Sequence, residues 1–194
     1  MSEEGIRLIV GLGNPGPQYE ETRHNAGFWF ADRVAAAAGG DFRADSKFHG
    51  LTCRVNVGGA DLRLLKPATY MNHSGQSVAA LVRYFDIPPE QILIAYDELD
   101  LPVGTARVKR GGGHAGHNGM RDSIAALGSR EFWRLRIGIG HPGDKARVVG
   151  YVLSRPSRTE AASILDAIDD AERCLPDLVA GKFQLVMNRL HAAR

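Results

Sequence analysis

The sequence predicts a single α/β domain in which a mixed, mostly parallel twisted sheet is flanked by helices on both faces. Residues 6–10 and 92–96 form two continuous apolar runs, as expected of strands that are covered on both faces. Strand and helix patterns alternate along the chain, and no linker-like or repeated segment interrupts them. With 194 residues the chain has the size of one domain, and we assign residues 1–194 to it.

The first half of the chain carries signals for three strands and two helices, namely strands at 6–10, 51–57 and 62–66 and helices at 25–38 and about 74–85. Gly39 and Gly40 stop the first helix. The Gly-Gly-Ala-Asp segment between the last two strands indicates a hairpin. The second helix begins at Ser74 or Gly75 and ends before Ile87-Pro-Pro, because the residue before a proline disfavours the helical conformation.

The second half is predicted to contain strands at 92–96, 106–109 and 135–139 and helices near 120–127, from 157 to about 175, and near 182–191. Residues 135–139 alternate basic and apolar side chains, as a half-exposed strand does. Ser157 and Glu160 have the spacing of a capping box, and Pro176 is predicted to stop the helix that follows them.

The composition is typical of a soluble globular protein, with 44% hydrophobic and 24% charged residues. No apolar run approaches the ~20 residues that span a bilayer, and the acidic N-terminal run lacks the apolar core of a secretory signal. Cys53 and Cys174 are in neither metal-binding nor redox spacing. These observations predict a cytoplasmic protein with reduced thiols and no membrane association.

Basic residues are concentrated between positions 107 and 147. Against Asp122, Glu131 and Asp144, this stretch carries nine cations: Arg107, Lys109, Arg110, Arg121, Arg130, Arg134, Arg136, Lys145 and Arg147. A solvated mixed surface would explain some of them. The imbalance, on a chain with a formal net charge of only +2, also fits a local phosphate-binding face.

Uncharged amides, imidazoles and glycines are concentrated in three predicted loops, around residues 11–25, 69–75 and 111–119. A fourth segment, Asp97-Glu-Leu-Asp100, ends an apolar strand with carboxylates. In open α/β sheets, ligands bind beyond the carboxyl ends of the strands. We therefore expect Asn14, Asp97 and the glycine-rich loop to meet at that edge.

His24 and Asp97 are the candidates for acid–base chemistry. A neutral imidazole can take a proton from water near neutral pH. A carboxylate beside it would orient the ring and stabilise the imidazolium that forms. Asn14, Asn72 and Asn118 each lie beside a turn residue and could simply cap turns, or they could bind a peptide backbone or a developing oxyanion.

Three other kinds of chemistry fit the sequence less well. Gly11-Leu-Gly-Asn-Pro-Gly16 matches a dinucleotide fingerprint, but the next helix is delayed to about Asn25, so no helix N-terminus would meet a pyrophosphate. His114 and His117 have metal-ligand spacing on a loop that does not place both rings on one face, so no metal is assigned. No nucleophile elbow is present, and direct attack by water is preferred to a covalent intermediate.

The motifs together resemble the bacterial-type peptidyl-tRNA hydrolase family over essentially the whole chain. The resemblance is carried by five motifs in order: L-G-N-P-G-x-x-Y-x-x-T-R-H-N-x-G, K-P-x-T-Y-M-N-x-S-G, D-E-L-D, G-G-G-H-x-G-H-N-G and R-I-G-I-G-H-P-G. It departs slightly at Ala115, where the family often has glycine, and at Tyr70, where it commonly has phenylalanine.

The resemblance implies a cytoplasmic monomer without cofactor, metal or obligate protein partner, which cleaves the ester between a peptide and the 3′ end of tRNA and so recycles tRNA. It implies His24 as the general base, Asp97 as the group that keeps it basic, and Asn14 as a discriminator of N-blocked from free aminoacyl esters. The residues implied to bind substrate are Tyr19, Tyr70, Met71, Asn72, His117 and Asn118, with Lys109 and Arg136 on a tRNA phosphate.

Two rival classes remain open at this point. A dinucleotide-dependent oxidoreductase would place a pyrophosphate-sized site at Gly11–Gly16. A non-catalytic RNA-binding module would tolerate replacement of His24 with no effect beyond affinity.

Overall fold

The computed structural model describes residues 4–193 of the chain. The first three residues, which open the acidic N-terminal run, and Arg194 lie outside the described residues. Among the described residues, no helix has both the length and the apolar character that crossing a bilayer requires.

The described residues contain one seven-stranded sheet, built from Leu8–Gly11 (β1), Arg43–Asp45 (β2), Gly50–Val57 (β3), Ala60–Pro67 (β4), Ile92–Glu98 (β5), Ala106–Arg110 (β6) and Trp133–Gly138 (β7). The spatial order is β2-β3-β4-β1-β5-β7-β6. Strands β4, β1, β5 and β7 are mutually parallel, and β3 and β6 oppose their neighbours. Because β2 opposes β3, it shares the direction of β4, so five of the seven strands point the same way. The predicted mixed, mostly parallel sheet is confirmed.

Helices cover both faces of the sheet, as predicted. Within the described residues they are Ala26–Ala37 (α1), Ser74–Phe85 (α2), Asn118–Leu127 (α3), Val148–Val152 (α4), Arg158–Arg173 (α5), Leu175–Val179 (α6) and Phe183–Ala192 (α7). One core joins α1, α5, α6 and α7 to one face, and a second joins α2 and α3 to the other.

The alternation of side chains along β1 shows how one strand serves both cores. Ile9 packs with the first cluster, whereas Leu8 and Val10 pack with the second, and all three are fully buried. Each such side chain contributes about 1.5–3 kcal/mol by leaving water. A continuous apolar sequence is therefore what a strand at this central position requires.

Four local features differ from the sequence predictions. Residues 135–139 were predicted to form a half-exposed strand, but β7 is buried along almost its whole length. The edge strand β2 was not predicted, because Arg-Ala-Asp has no apolar alternation and pairs with β3 through its backbone. The short helix α4 was also missed. Pro176 does not simply end the preceding helix: α5 ends at Arg173, and Pro176 lies in the first turn of α6, where a missing N–H costs no hydrogen bond.

The carboxyl ends of β4, β1 and β5 lie side by side, and the segments that follow them form the candidate site. A 3₁₀ turn, Arg23–Asn25, leads directly into α1 and closes over this edge. Gly27 permits that approach, because a Cβ there would lie 2.4 Å from the carbonyl oxygen of Ala95. The first turn of α1 can therefore rest on the backbone of the sheet.

Candidate active site

Asp97 is the centre of the candidate site. It lies near the carboxyl end of β5, and its side chain is almost completely buried. Its Oδ2 contacts Nδ1 of His24 at 2.8 Å, and its Oδ1 contacts Nε2 of His117, also at 2.8 Å. One carboxylate thus joins two imidazoles that come from distant parts of the chain.

His24 meets Asp97 through one ring nitrogen only. Its Nδ1 donates to the carboxylate, and no other described residue hydrogen-bonds its Nε2. Burial by itself would lower the pKa of His24, but the charge and the hydrogen bond of Asp97 raise it above the ordinary value. A partly desolvated imidazole with one free nitrogen is suited to accept a proton from water.

The hydrogen bonds of His117 determine which of its ring nitrogens carries a proton. It is the N-cap residue of α3, and its Nδ1 accepts a hydrogen bond of 3.2 Å from the backbone N–H of Met120. Nε2 must therefore carry the proton that it donates to Asp97. The ring lies 5.0 Å from that of His24, centroid to centroid, and 5.1 Å from that of Tyr96.

The two imidazoles determine the charge state of Asp97. Burial opposes ionisation of this carboxyl, but the nearby His24 and His117 hold its pKa well below its usual range. The carboxylate is thus ionised at any pH at which the folded protein would be assayed. A fixed negative charge of this kind stabilises an imidazolium beside it.

The same three residues have the composition of a metal site. The ligand atoms of His24, Asp97 and His117 all lie within 4.8 Å of one another. However, both ring nitrogens that face the carboxylate already donate to it. His114 does not join the group, because its Nδ1 accepts from the backbone of Gly116 within the glycine-rich loop.

Asn14 is held by its side chain and by its backbone. Its Oδ1 accepts a 2.7 Å hydrogen bond from the backbone N–H of Met71, which leaves the side-chain NH₂ as a donor. Its backbone N–H and C=O both bond to the side chain of Asn25, at 2.9 and 3.0 Å. Asn25 also follows His24 in the 3₁₀ turn, so it links the first loop to the candidate base.

The other predicted substrate residues lie around this centre, and their side chains differ in how far they are exposed to solvent. Met71 is buried, whereas Asn72, the next residue in the same 3₁₀ turn, is exposed. Tyr19 and Tyr70 meet edge to face with centroids 6.5 Å apart, and Tyr70 is 58% exposed. Asn118 is exposed in the first turn of α3 and accepts from Arg121 at 3.1 Å.

The cationic residues predicted to form one face are divided in the structure. Lys109 lies on β6 directly opposite Arg134 of β7, and Arg136 is two residues further along β7. Burial together with these two guanidiniums lowers the pKa of Lys109. Arg136 is paired with Glu98 at 2.9 Å. Lys145 and Arg147 lie in a separate 3₁₀ turn.

Three residues with evident structural parts in the site were not singled out from the sequence. Asn25 holds Asn14, Glu98 pairs with Arg136, and Arg134 bonds the glycine-rich loop. The T-R-H-N motif offered a signal for Asn25, since a polar residue beside a candidate base is often a partner. Nothing in the local sequence distinguishes Arg134 from the other cations of its stretch.

The dinucleotide alternative is wrong for this fold. After Gly16 the chain forms turns and the 3₁₀ turn, and α1 begins only at Ala26. The glycine loop therefore has no helix N-terminus directly behind it to receive a pyrophosphate. The segment after α1 leads to the β3–β4 hairpin rather than to a second βαβ unit.

The fold and the site define a single-domain α/β enzyme with a buried carboxylate between two imidazoles. Residues 8–194 match the family model described as peptidyl-tRNA hydrolase. The chain belongs to the peptidyl-tRNA hydrolase family, and the resemblance found in its motifs is confirmed.

Similar proteins extend over nearly the whole chain. The peptidyl-tRNA hydrolase of Methylobacillus flagellatus is 58% identical over 187 residues, which are 96% of this chain and 97% of that protein. That of Halorhodospira halophila is 55% identical and covers 98% of both chains. The structure of the enzyme from Acinetobacter baumannii superposes with a TM-score of 0.95 at 50% identity, covering 99% of this chain and 98% of the other.

Proposed function

We propose that this enzyme hydrolyses the ester between the peptide of a peptidyl-tRNA and the 3′ end of the tRNA, using water activated by His24, without a metal or a covalent intermediate. The main support for this proposal is the contact between His24 Nδ1 and Asp97, which leaves Nε2 of a partly buried imidazole available to water. Released tRNA would return to aminoacylation.

His24 takes part in two proton transfers in the proposed reaction. Nε2 of His24 removes a proton from water while the water oxygen attacks the ester carbonyl, and the negative charge moves to the carbonyl oxygen. The imidazolium is stabilised by Asp97. When the tetrahedral intermediate collapses, the ester C–O bond breaks and the ribose 3′ oxygen takes the proton from His24. The products are free tRNA and a peptide carboxylic acid, which then releases the second water proton to solvent.

The amides around the base supply neutral contacts for the peptide. The free NH₂ of Asn14 is a donor for a peptide carbonyl or for the developing oxyanion. Peptide and terminal nucleotide are expected to lie among the surrounding side chains, which are Tyr19, Tyr70, Met71, Asn72, His117 and Asn118. Aromatic faces of the two tyrosines suit a stacked base.

Lys109 and Arg136 are proposed to hold a phosphate of the acceptor stem. Burial, followed by the positive charges of Arg136 and Arg134, lowers the pKa of Lys109, so several cations lie close together at this place. A phosphate would offset these positive charges, and Glu98 would keep the Arg136 guanidinium oriented. The cytoplasmic location, the monomeric state and the domain limits 1–194 remain predictions.

Hydrolysis of an N-acetylated aminoacyl-tRNA in the presence of a chelator tests the reaction. The purified protein should release the acyl group, and His24→Ala should lower turnover by on the order of 10²-fold or more while tRNA binding persists. His191→Ala, at an exposed position on α7, is the matched control and should keep full turnover.

Three outcomes would contradict this proposal. Loss of activity with the chelator, restored by added divalent metal, would place an ion among His24, Asp97 and His117. Normal turnover by His24→Ala would remove the proposed base, and no turnover by any form of the protein would favour the RNA-binding alternative.

A further inference from the structure

Arg134 is a fully buried charged side chain that the proposed reaction does not use. It lies on β7, with its guanidinium over the ring of Phe132 at 4.9 Å. Its Nη1 donates to the carbonyl oxygen of Gly113, and its Nη2 donates to that of Gly112. Its buried Nε has no hydrogen-bond partner among the described residues.

Burial of an incompletely satisfied guanidinium is costly compared with an apolar side chain of similar volume. A methionine in place of Arg134 would pack against Phe132 without burying a charge. The two carbonyls explain the choice of arginine, since its planar fork can donate to two acceptors at once. A lysine ammonium on a flexible stem does not reproduce that geometry.

The segment that Arg134 holds has few other means of support. Gly112 and Gly116 have φ values of +104° and +83°, and a Cβ on Gly113 or Gly116 would meet nothing within 4 Å. Hydrogen bonds of His114 and Gly116 stay within the loop. The hydrogen bonds to the Gly112 and Gly113 carbonyls both come from Arg134.

This loop connects Lys109, the proposed phosphate ligand, to His117 in the candidate active site. At one end, a Cβ on Gly112 would lie 2.9 Å from Nζ of Lys109, so the backbone packs directly on the proposed phosphate ligand. At the other end the loop enters α3 through His117, which donates to Asp97. A displacement at Gly112 and Gly113 would be passed to both ends.

We propose that Arg134 is a positioning residue: its two carbonyl contacts hold the 111–117 loop so that Lys109 and His117 face one bound substrate. The inference rests on the proposed function for its effect on turnover, but the loop contacts themselves can be measured without substrate. Arg134 touches no substrate in this scheme and acts through the loop backbone.

Amide hydrogen exchange and kinetics on Arg134→Met and Arg134→Lys test this proposal. In both variants, exchange in residues 111–117 should become faster by on the order of 10-fold, while exchange in β1 and β5 stays slow. Turnover of an N-acetylated aminoacyl-tRNA should fall by about 10- to 100-fold, because Lys109 and His117 would no longer be held in fixed relative positions. Arg134→Lys, which keeps the charge, should retain tRNA affinity better than Arg134→Met.

Arg83→Met is the matched control, since exposed Arg83 also donates to a backbone carbonyl, that of Ala126, near the C-terminal end of α3. It should change neither loop exchange nor turnover. The proposal is overturned if loop exchange in the Arg134 variants equals that of the parent, or if exchange rises equally across β1, β5 and the loop. Slow turnover by the parent itself, with loop exchange still dependent on Arg134, would contradict the proposed function and leave the loop contacts standing.

Discussion

Among the single residues, Asp97 accepts hydrogen bonds from two imidazoles in different tautomers: from Nδ1 of His24 and from Nε2 of His117. Both ring nitrogens of His117 are engaged, because Nε2 donates to Asp97 and Nδ1 accepts from the N–H of Met120. His24 has a free nitrogen and is therefore the ring that can change charge during turnover.

The pH dependence of turnover reports this pairing. Since Asp97 raises the pKa of His24 against the lowering effect of burial, Asp97→Asn should let that pKa fall. As the proposed base, His24 would be active when neutral, so the acidic limb of the pH–rate profile should move to lower pH, with turnover reduced at every pH. Asp100→Asn, at the exposed end of the same D-E-L-D run, should change neither. A limb that keeps its position would assign Asp97 to substrate binding.

Asn14 should discriminate N-blocked from free aminoacyl esters. In Asn14→Asp the carboxylate can still accept from Met71, so the loop is retained, but the NH₂ donor is lost. The new charge would attract the ammonium of a free aminoacyl ester, which the neutral amide does not offset. The ratio of N-acetylaminoacyl-tRNA to aminoacyl-tRNA hydrolysis, measured side by side, should fall. Equal losses on both substrates would mean that Asn14 only shapes the loop.

At the scale of elements, the placement of α1 depends on contact between backbones. Gly27 lets the first turn of the helix rest on the ends of β1 and β5, which brings His24 to Asp97. A side chain at this point would push the 3₁₀ turn away from the sheet. The element is thus positioned by the absence of a side chain rather than by an added contact.

Replacing glycine by alanine should therefore have opposite effects at two helical positions. Gly27→Ala should destabilise the protein by about 1–3 kcal/mol, as overpacking does, because its Cβ would meet backbone atoms of Ala95 and Leu12. Gly150→Ala in α4 meets nothing within 4 Å and should stabilise by about 0.4–1 kcal/mol. Urea unfolding of both variants checks this contrast. Equal stability of the two would show that α1 can shift without cost.

At the scale of the whole molecule, positive charge is distributed unevenly between the strands that carry it. Arg136 is already paired with Glu98, and the ammonium of Lys109 faces the loop beside two guanidiniums. The cation with the larger unneutralised charge is then Lys109. A phosphate should gain more from Lys109 than from Arg136.

The salt dependence of tRNA binding measures this difference. Lys109→Ala should reduce the log–log slope of affinity against salt by about one unit, and Arg136→Ala by less, because Glu98 already offsets its charge. Short esters without an acceptor stem should be unaffected. Arg155→Ala, which breaks an exposed 2.8 Å pair with Glu21, is the control and should leave the slope unchanged. Equal weakening of both substrate types would place the two cations in the catalytic cleft.

Elements with a strong hydrophobic pattern were predictable from the sequence, and elements held by backbone pairing alone were not. Strands β1 and β5 are buried on both faces, so their composition is distinctive, and the capping box of Ser157 and Glu160 is present as predicted. Strand β2 and helix α4 have neither pattern nor length to be recognised. Pro176 could be assigned to a helix boundary but not to the correct side of it.

The α/β class, the family and the loops that form the candidate site could be predicted from the sequence, because hydrophobic periodicity and motifs are read directly along the chain. The same reasoning placed Asn14 and Asp97 at one edge, since parallel strands end together. The folded chain was needed to show that Asp97 bonds both His24 and His117, that Met120 sets the His117 tautomer, and that Arg134 donates to the glycine-rich loop. Those contacts join residues far apart in the chain, and their geometry depends on how closely α1, α3 and β7 approach one another.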